Sequence, residues 1–307
     1  MKKLLLLFII ILLSGCKNNE FSKNIFYMDT LINIKVYNIN EKKANEAFAN
    51  VESIYKKYHE ITNFYDENSE LYKINNTNYE VNISNELKDL IDLGLTWYNK
   101  SNGLFNINIG LLSKTWHDFR ETKIFPNKLD YDIDISNVKL NGNAIKGNFN
   151  IDLGGIVKGY VTEMAGNYLE SVGIDHYIIN AGGNVKVGKS NKGYYNIGIS
   201  SPEKNEVFYI IKDEDISVVT SGGYERFYEY EGVLYHHIID PKTKYPANYM
   251  KSVTVIGDDS SLCDLLSTTL FLMSVEEGID FIKDYDVSAI WYTNNNEIIK
   301  SEGFKYE

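Results

Sequence analysis

Between residues 151 and 160 the chain sets an acid, two adjacent glycines and a lysine at the start of a predicted helix, in the run Ile151-Asp152-Leu153-Gly154-Gly155-Ile156-Val157-Lys158-Gly159-Tyr160. Adjacent glycines let backbone approach an anion, the free N–H groups of a helix start favour negative charge, and Lys158 adds a point charge on the same turn. That is phosphate-handling chemistry, although such a glycine pair also serves plain close packing. Further on, Asp264 and Thr268 stand four apart in a helical stretch, so a carboxylate and a hydroxyl share one face. Oxygen ligands of this kind suit a hard cation such as Mg2+, with water and substrate phosphate completing the octahedron. The alternative is that Asp264 serves the dipole of its own helix's first turn and Thr268 simply packs. The run Tyr235-His236-His237-Ile238-Ile239-Asp240-Pro241-Lys242-Thr243 ends a strand with imidazole, the side chain best suited to proton transfer near neutrality. Strand alternation puts His236 and His237 on opposite faces, so His236 is expected to tolerate replacement by Asn. A fourth run, Val218-Val219-Thr220-Ser221-Gly222-Gly223-Tyr224-Glu225-Arg226, leads from a strand into a turn and back.

The elements that must position these groups read as a mixed fold. Leu31 to Tyr37 alternates as a half-buried strand. Ala44, Phe48, Val51, Tyr55 and Tyr58 recur at helical spacing behind the cap Asn40, and Ser84 caps a second helix that Asn102-Gly103 ends. A third helix starts at Lys158, buries Val161, Ala165, Tyr168, Leu169 and Val172, and stops at Gly173. Strand-like runs follow at Tyr177–Asn180, Tyr194–Ser200, Val207–Ile211, Phe227–Tyr230 and Val233–Ile239, with Glu231-Gly232 turning the last pair into a hairpin. Helices near Leu262–Met273 and from Glu276, and a hairpin through Ile290-Trp291-Tyr292, close the chain. Because strands and helices do not alternate regularly, the expected class is α+β, mostly antiparallel sheets with packed helices in a single elaborated domain.

The N-terminus reads as a bacterial lipoprotein signal peptide. Met1-Lys2-Lys3 is basic, Leu4–Leu13 is wholly apolar, and Leu13-Ser14-Gly15 precedes Cys16. An apolar run of this length falls short of the roughly 20 residues a membrane span needs. The expected organisation is a signal peptide over residues 1–15, a lipid-anchored tether over 16–23 beginning at a diacylated Cys16, and a domain over 24–307, placed at the outer face of the cytoplasmic membrane. Of the two cysteines only Cys263 then remains, so no intramolecular disulfide forms and stability rests on a packed core. With 31 basic against 42 acidic side chains the net charge is −11, which excludes a general nucleic-acid binder.

Taken together and in this order, these segments resemble the ApbE family of FAD:protein FMN transferases. Met28-Asp29-Thr30, Phe64-Tyr65, Ser69-Glu70-Leu71 with Ile74-Asn75, Asn102-Gly103-Leu104-Phe105-Asn106, Leu111 to Trp116 and Asn180-Ala181-Gly182-Gly183-Asn184 extend the likeness over nearly the whole mature chain. The resemblance implies that FAD is gripped by Met28, Tyr65, Leu104, Phe105, Asn106, Asp152, Lys158, His237 and Ile238. It implies a divalent metal, Mg2+, at the Gly155 carbonyl, Asp264 and Thr268, with Ser267 close by. It further implies a Ser or Thr hydroxyl of an exported or membrane-bound flavoprotein as acceptor, AMP as leaving group and His237 as base. Hydrolysis of FAD to FMN and AMP, or FAD carriage without chemistry, are the alternatives.

Three positions depart from the family pattern. Asn106 stands for the usual Asp, Gly223 for the Asp of Thr-Ser-Gly-Asp-Tyr-Glu-Arg, and Lys244 for a glycine. The loss of two acids is expected either to weaken substrate positioning or to supply less help to the base. Asp264→Ala is expected to remove metal-dependent turnover while leaving the fold intact.

Overall fold

The computed structural model describes residues 19–306 apart from 205 and 225, so Cys16 and the leader lie outside the described residues. The chain runs through β1 (Glu20–Tyr27), β2 (Thr30–Tyr37), α1 (Glu41–Thr62), α2 (Glu70–Asn75), β3 (Val81–Asn82), α3 (Asn85–Lys100) and α4 (Gly110–Thr122). Next come β4 (Lys139–Asn141), β5 (Ala144–Lys146), α5 (Val157–Ser171), β6 (Tyr177–Ala181), β7 (Asn184–Val187), β8 (Tyr195–Ser200), β9 (Val207–Asp213) and β10 (Ile216–Gly222). The hairpin β11 (Phe227–Tyr230) and β12 (Val233–His236) precedes β13 (Met250–Gly257), α6 (Ser260–Phe271), α7 (Val275–Phe281), β14 (Ser288–Thr293) and β15 (Ile298–Lys300).

Eight strands form the main sheet in the order β1-β2-β6-β7-β10-β13-β14-β15, every pairing antiparallel. Alternation sorts their side chains. Ile34, Val219, Val255 and Trp291 enter the large core shared with α1, α3, α5 and α6, whereas Val218, Ile256 and Ile290 enter a second core beneath the β8–β9 hairpin. The architecture is α+β in one domain, as the irregular order of elements predicts. Caps act where expected: Asn40 accepts from Lys43 N–H and Ser84 from Leu87 N–H.

Several boundaries differ from the sequence reading. β1 already begins at Glu20, so residues 20–23 pair with β2 instead of forming tether, and Phe21 packs against the main core opposite Val36. The third helix starts one residue earlier, at Val157, and Val172 at its end is 39% exposed. Neither α2 nor α4 is legible as a helix: α2 is six residues long, and α4 starts at Gly110 behind Ile109, which offers no side-chain cap. The strand that leads to the histidines stops at His236, which leaves His237 at a bend.

Candidate functional site

Two helices meet at the glycine run. Gly159, in the first turn of α5, donates its N–H to Asp264 Oδ2 at 2.7 Å. A Cβ at Gly159 would lie 2.4 Å from Asp264 Cβ and 2.7 Å from the Ser260 carbonyl oxygen, so only glycine lets α6 come this close. Asp264 therefore answers the start of α5, across the helix pair, in addition to sitting in its own helix. The carboxyl is buried; desolvation raises its pKa, against the opposing pull of Lys158 and the Gly159 N–H. A buried acid held in this way gains from a second positive charge.

Beside it runs a chain of hydroxyls. Ser267 Oγ donates to the Asp264 carbonyl at 3.0 Å, Ser221 Oγ lies 2.9 Å from Ser267 Oγ, and Thr268 Oγ1 lies 3.2 Å from Ser221 Oγ. Since each hydroxyl has one proton, Thr268 donates to Ser221 and Ser221 to Ser267, leaving Thr268 oxygen lone pairs open. Ser267 is fully buried and orients this chain, while Ser221, to which the sequence reading assigned no role, connects β10 to α6.

Asp152 is placed by asparagine side chains. Asn75 pairs with Ile151 on both sides, Nδ2 to its carbonyl and Oδ1 from its N–H, each at 2.8 Å. Asn108 accepts from Asn150 N–H at 2.7 Å, and Asp152 N–H reaches the Ile107 carbonyl. Asp152 Oδ1 then accepts from Gly154 N–H, shaping the turn before α5. Leu104 packs on the main core, and Phe105 lies against Gly155, where a Cβ would meet its ring at 3.2 Å. Asn106 is buried with its amide occupied: Oδ1 accepts from Asn108 N–H and Nδ2 donates to the Ile133 carbonyl at 2.9 Å. A carboxylate there would set acceptor against acceptor. The amide at 106 thus serves as a structural tie between the Asn108 N–H and the Ile133 carbonyl.

Met28 and Asp29 form the two-residue turn between β1 and β2, both left-handed at φ 55° and 53°. Such a turn normally takes Asn-Gly, so two ordinary residues are held there against their preference. Three contacts hold it: Met28 N–H meets His59 Nδ1 at 3.3 Å, and Arg226 Nη2 donates to the Met28 and Asp29 carbonyls at 3.4 and 3.2 Å. Tyr65 is half exposed with its ring 5.0 Å from His117; desolvation, then the charge of Asp152, pushes its hydroxyl up to about 12.

The β11–β12 hairpin presents the remaining groups. Tyr228, Tyr230 and Tyr235 pack on Phe119 of α4, and Tyr235 stacks on Trp116 at 5.4 Å and 13°. This aromatic block fixes the two hairpin ends, which carry Arg226 and His237. His237 is exposed at the bend that follows β12. Desolvation, then the neighbouring Arg226, His236, Lys158 and Arg120, hold its pKa down to about 3. Ile238 is buried in the main core, so its part in any site is through its backbone.

His236 is not a spare histidine. It is buried, its Nε2 donates to the Ala247 carbonyl at 2.7 Å, and its Nδ1 accepts from Ile238 N–H. A Cβ at Gly223 would lie 2.6 Å from its ring, so the imidazole occupies the space that an Asp at 223 would need. The expected tolerance to His236→Asn is therefore overturned, because the shorter side chain cannot span both partners. That variant should lose about 2 kcal/mol or more in urea unfolding. Burial also depresses the His236 pKa from 6.5 to about 4, so the unfolded chain binds the extra proton first and wild-type stability falls as pH drops across that window. His236→Asn should flatten this part of the stability profile.

Lys244 sits at φ 64°, the conformation for which the family glycine is suited. Its carbonyl accepts from Trp116 Nε1 at 2.9 Å and its Nζ donates to the Tyr131 carbonyl at 3.0 Å, ties that offset the backbone cost.

Residues 28–291 match the sequence model of the ApbE family. A FAD:protein FMN transferase of Klebsiella pneumoniae (strain 342) is 29% identical over 304 residues, covering 92% of each chain. Another, of Treponema pallidum (strain Nichols), is 26% identical and covers 92% of this chain and 87% of its own. Among solved structures, the ApbE protein of Thermotoga maritima superposes with a TM-score of 0.85 at 27% identity, over 92% of this chain and 97% of that one. The flavin transferase ApbE from Vibrio cholerae shares the fold, with a TM-score of 0.78 at 22% identity over 94% and 98%.

Proposed function

The chain belongs to the ApbE family, and we propose that it is a FAD:protein FMN transferase that moves FMN from FAD to a Ser or Thr hydroxyl of a flavoprotein and releases AMP. The observation that carries this reading is the junction of the Lys158 turn with Asp264, closed by the Gly159 N–H on Asp264 Oδ2 at 2.7 Å, with the charge of Lys158 felt at both Asp264 and His237.

The donor set fits Mg2+. No group of three or more His, Cys, Asp or Glu among the described residues has metal-holding geometry, so a softer, protein-caged ion finds no site there. One buried carboxylate, the open oxygen of Thr268 and the Gly155 carbonyl would hold Mg2+, which takes few protein ligands and relies on substrate phosphate. When bound, the ion supplies charge neutralisation on the diphosphate. Lys158 binds the diphosphate as a point charge, and Met28, Tyr65 and the Leu104–Asn106 segment form the flavin-nucleotide walls. His237, neutral at physiological pH, accepts the acceptor's hydroxyl proton. The hydroxyl oxygen bonds to the FMN phosphorus, the bond from that phosphorus to the bridging oxygen breaks, and AMP leaves with the bridging oxygen.

Solvent access to His237 favours a second reading, in which water replaces the hydroxyl and FMN is set free. A third reading is carriage of FAD without chemistry, in which FAD stays whole. Incubation with FAD, Mg2+ and an acceptor peptide decides the matter: an FMN adduct in the mass spectrum with one AMP per adduct supports transfer. Free FMN without adduct supports hydrolysis. Anchorage through a lipidated Cys16 at the outer face of the membrane belongs to the same proposal, with an exported acceptor as its corollary.

Lys158→Met should weaken FAD binding by about 10-fold or more while leaving riboflavin, which has no phosphate, unaffected. Equal losses for both ligands would make Lys158 purely structural.

A further inference from the structure

Of the 31 basic side chains only Arg120 and Arg226 are arginines, and the fold brings both to the same wall. Neither forms an ion pair with a described carboxylate. Arg120, in the last turn of α4, donates from Nη2 to His117 Nδ1 at 3.1 Å, while its Nη1 is buried without any partner. A helix C-terminus accounts for a cation at this position. It does not account for a buried N–H left unsatisfied, nor for a second guanidinium beside it, both of which cost stability unless an anion arrives.

We propose that Arg120 and Arg226 form a second anion subsite, separate from Lys158, that grips phosphoryl oxygens of the donor dinucleotide beside His237. Guanidinium forks match phosphate oxygens, and the diphosphate is the part of FAD that carries formal negative charge. Donor, not acceptor, is indicated by what the arginines hold. Arg226 is bonded to the Met28 and Asp29 carbonyls, and Arg120 reaches Tyr65 through the His117 ring. Met28 and Tyr65 are the donor-binding positions, so this inference rests on the proposed function.

The test compares wild type, Arg120→Met and Arg226→Met by equilibrium binding of FAD, riboflavin and inorganic pyrophosphate. Each variant is expected to lose about 10- to 100-fold for FAD and pyrophosphate and far less for riboflavin, which in Arg226→Met feels only the loosened Met28–Asp29 turn. Arg120→Lys, which keeps the charge but not the fork, should recover part of the loss. Arg226 is exposed, so its variant remains informative should Arg120→Met fold poorly. A wild type that binds pyrophosphate but no FAD sinks the donor reading of the whole site; weaker pyrophosphate binding in both variants still supports the anion subsite. Unchanged pyrophosphate and FAD binding in both variants overturns it, and so does normal FAD binding combined with lost transfer to an acceptor peptide, which would assign the pair to the acceptor.

Discussion

His237→Asn should bind FAD and Mg2+ as the wild type does and lose FMN transfer by 10²–10⁴-fold, the range typical of a missing general base. The variant is expected to fold, because His237 lies at an exposed bend beyond β12 and no hydrogen bond of the core depends on it. The pH profile carries a second expectation. In the free protein, desolvation and then the positive neighbours, Arg226 first among them, disfavour imidazolium and hold the pKa down to about 3. Bound diphosphate offsets those cations, and an anion favours imidazolium, so the pKa rises in the complex. The acid limb of kcat, which reports the complex, should therefore lie at higher pH than that of kcat/KM, which reports free protein. Undiminished adduct formation by His237→Asn, or limbs in the reverse order, would remove His237 as the base.

Asp264→Ala should abolish metal-dependent turnover and also lower stability, by about 1–3 kcal/mol, because it leaves the Gly159 N–H buried without an acceptor. The fold stays intact but less stable, because the acid that suits a cation also closes the α5–α6 junction. Asp264→Asn separates the two roles. Its amide oxygen keeps the bond to Gly159, so the unfolding midpoint should return close to wild type while activity stays low and responds only to much higher Mg2+. Thr268→Val, which removes a neutral oxygen, should cost less than either. Wild-type activity of Asp264→Asn at limiting Mg2+ would refute a metal-holding role.

The sequence by itself determined what depends on local order. The alternation of Ile32, Ile34 and Val36, the caps Asn40 and Ser84, and the helical stripe of α1 declare themselves because periodicity and capping involve residues within a few positions of one another. The motifs around Lys158, Asp264 and His237 likewise pointed to phosphate, cation and proton-transfer chemistry from residue type and spacing, and their resemblance to the ApbE family implied flavin transfer. Tertiary structure alone decided where those motifs act and which neighbours they need. Gly159 had no role of its own in the sequence, yet its lack of a Cβ is required by Asp264, 105 residues away. His236 looked spare until the Ala247 carbonyl and Gly223 were seen to enclose it. Asn106 and Gly223 looked like lost acids, and each turned out to satisfy a packing or hydrogen-bond demand set by a distant segment. Arg120 and Arg226 lie 106 positions apart in sequence, and nothing local brings two unpaired guanidiniums together. Such relations depend on which segments the antiparallel sheet and the α5–α6 pair bring into contact, and loop closure over a hundred residues leaves no periodic trace in the chain.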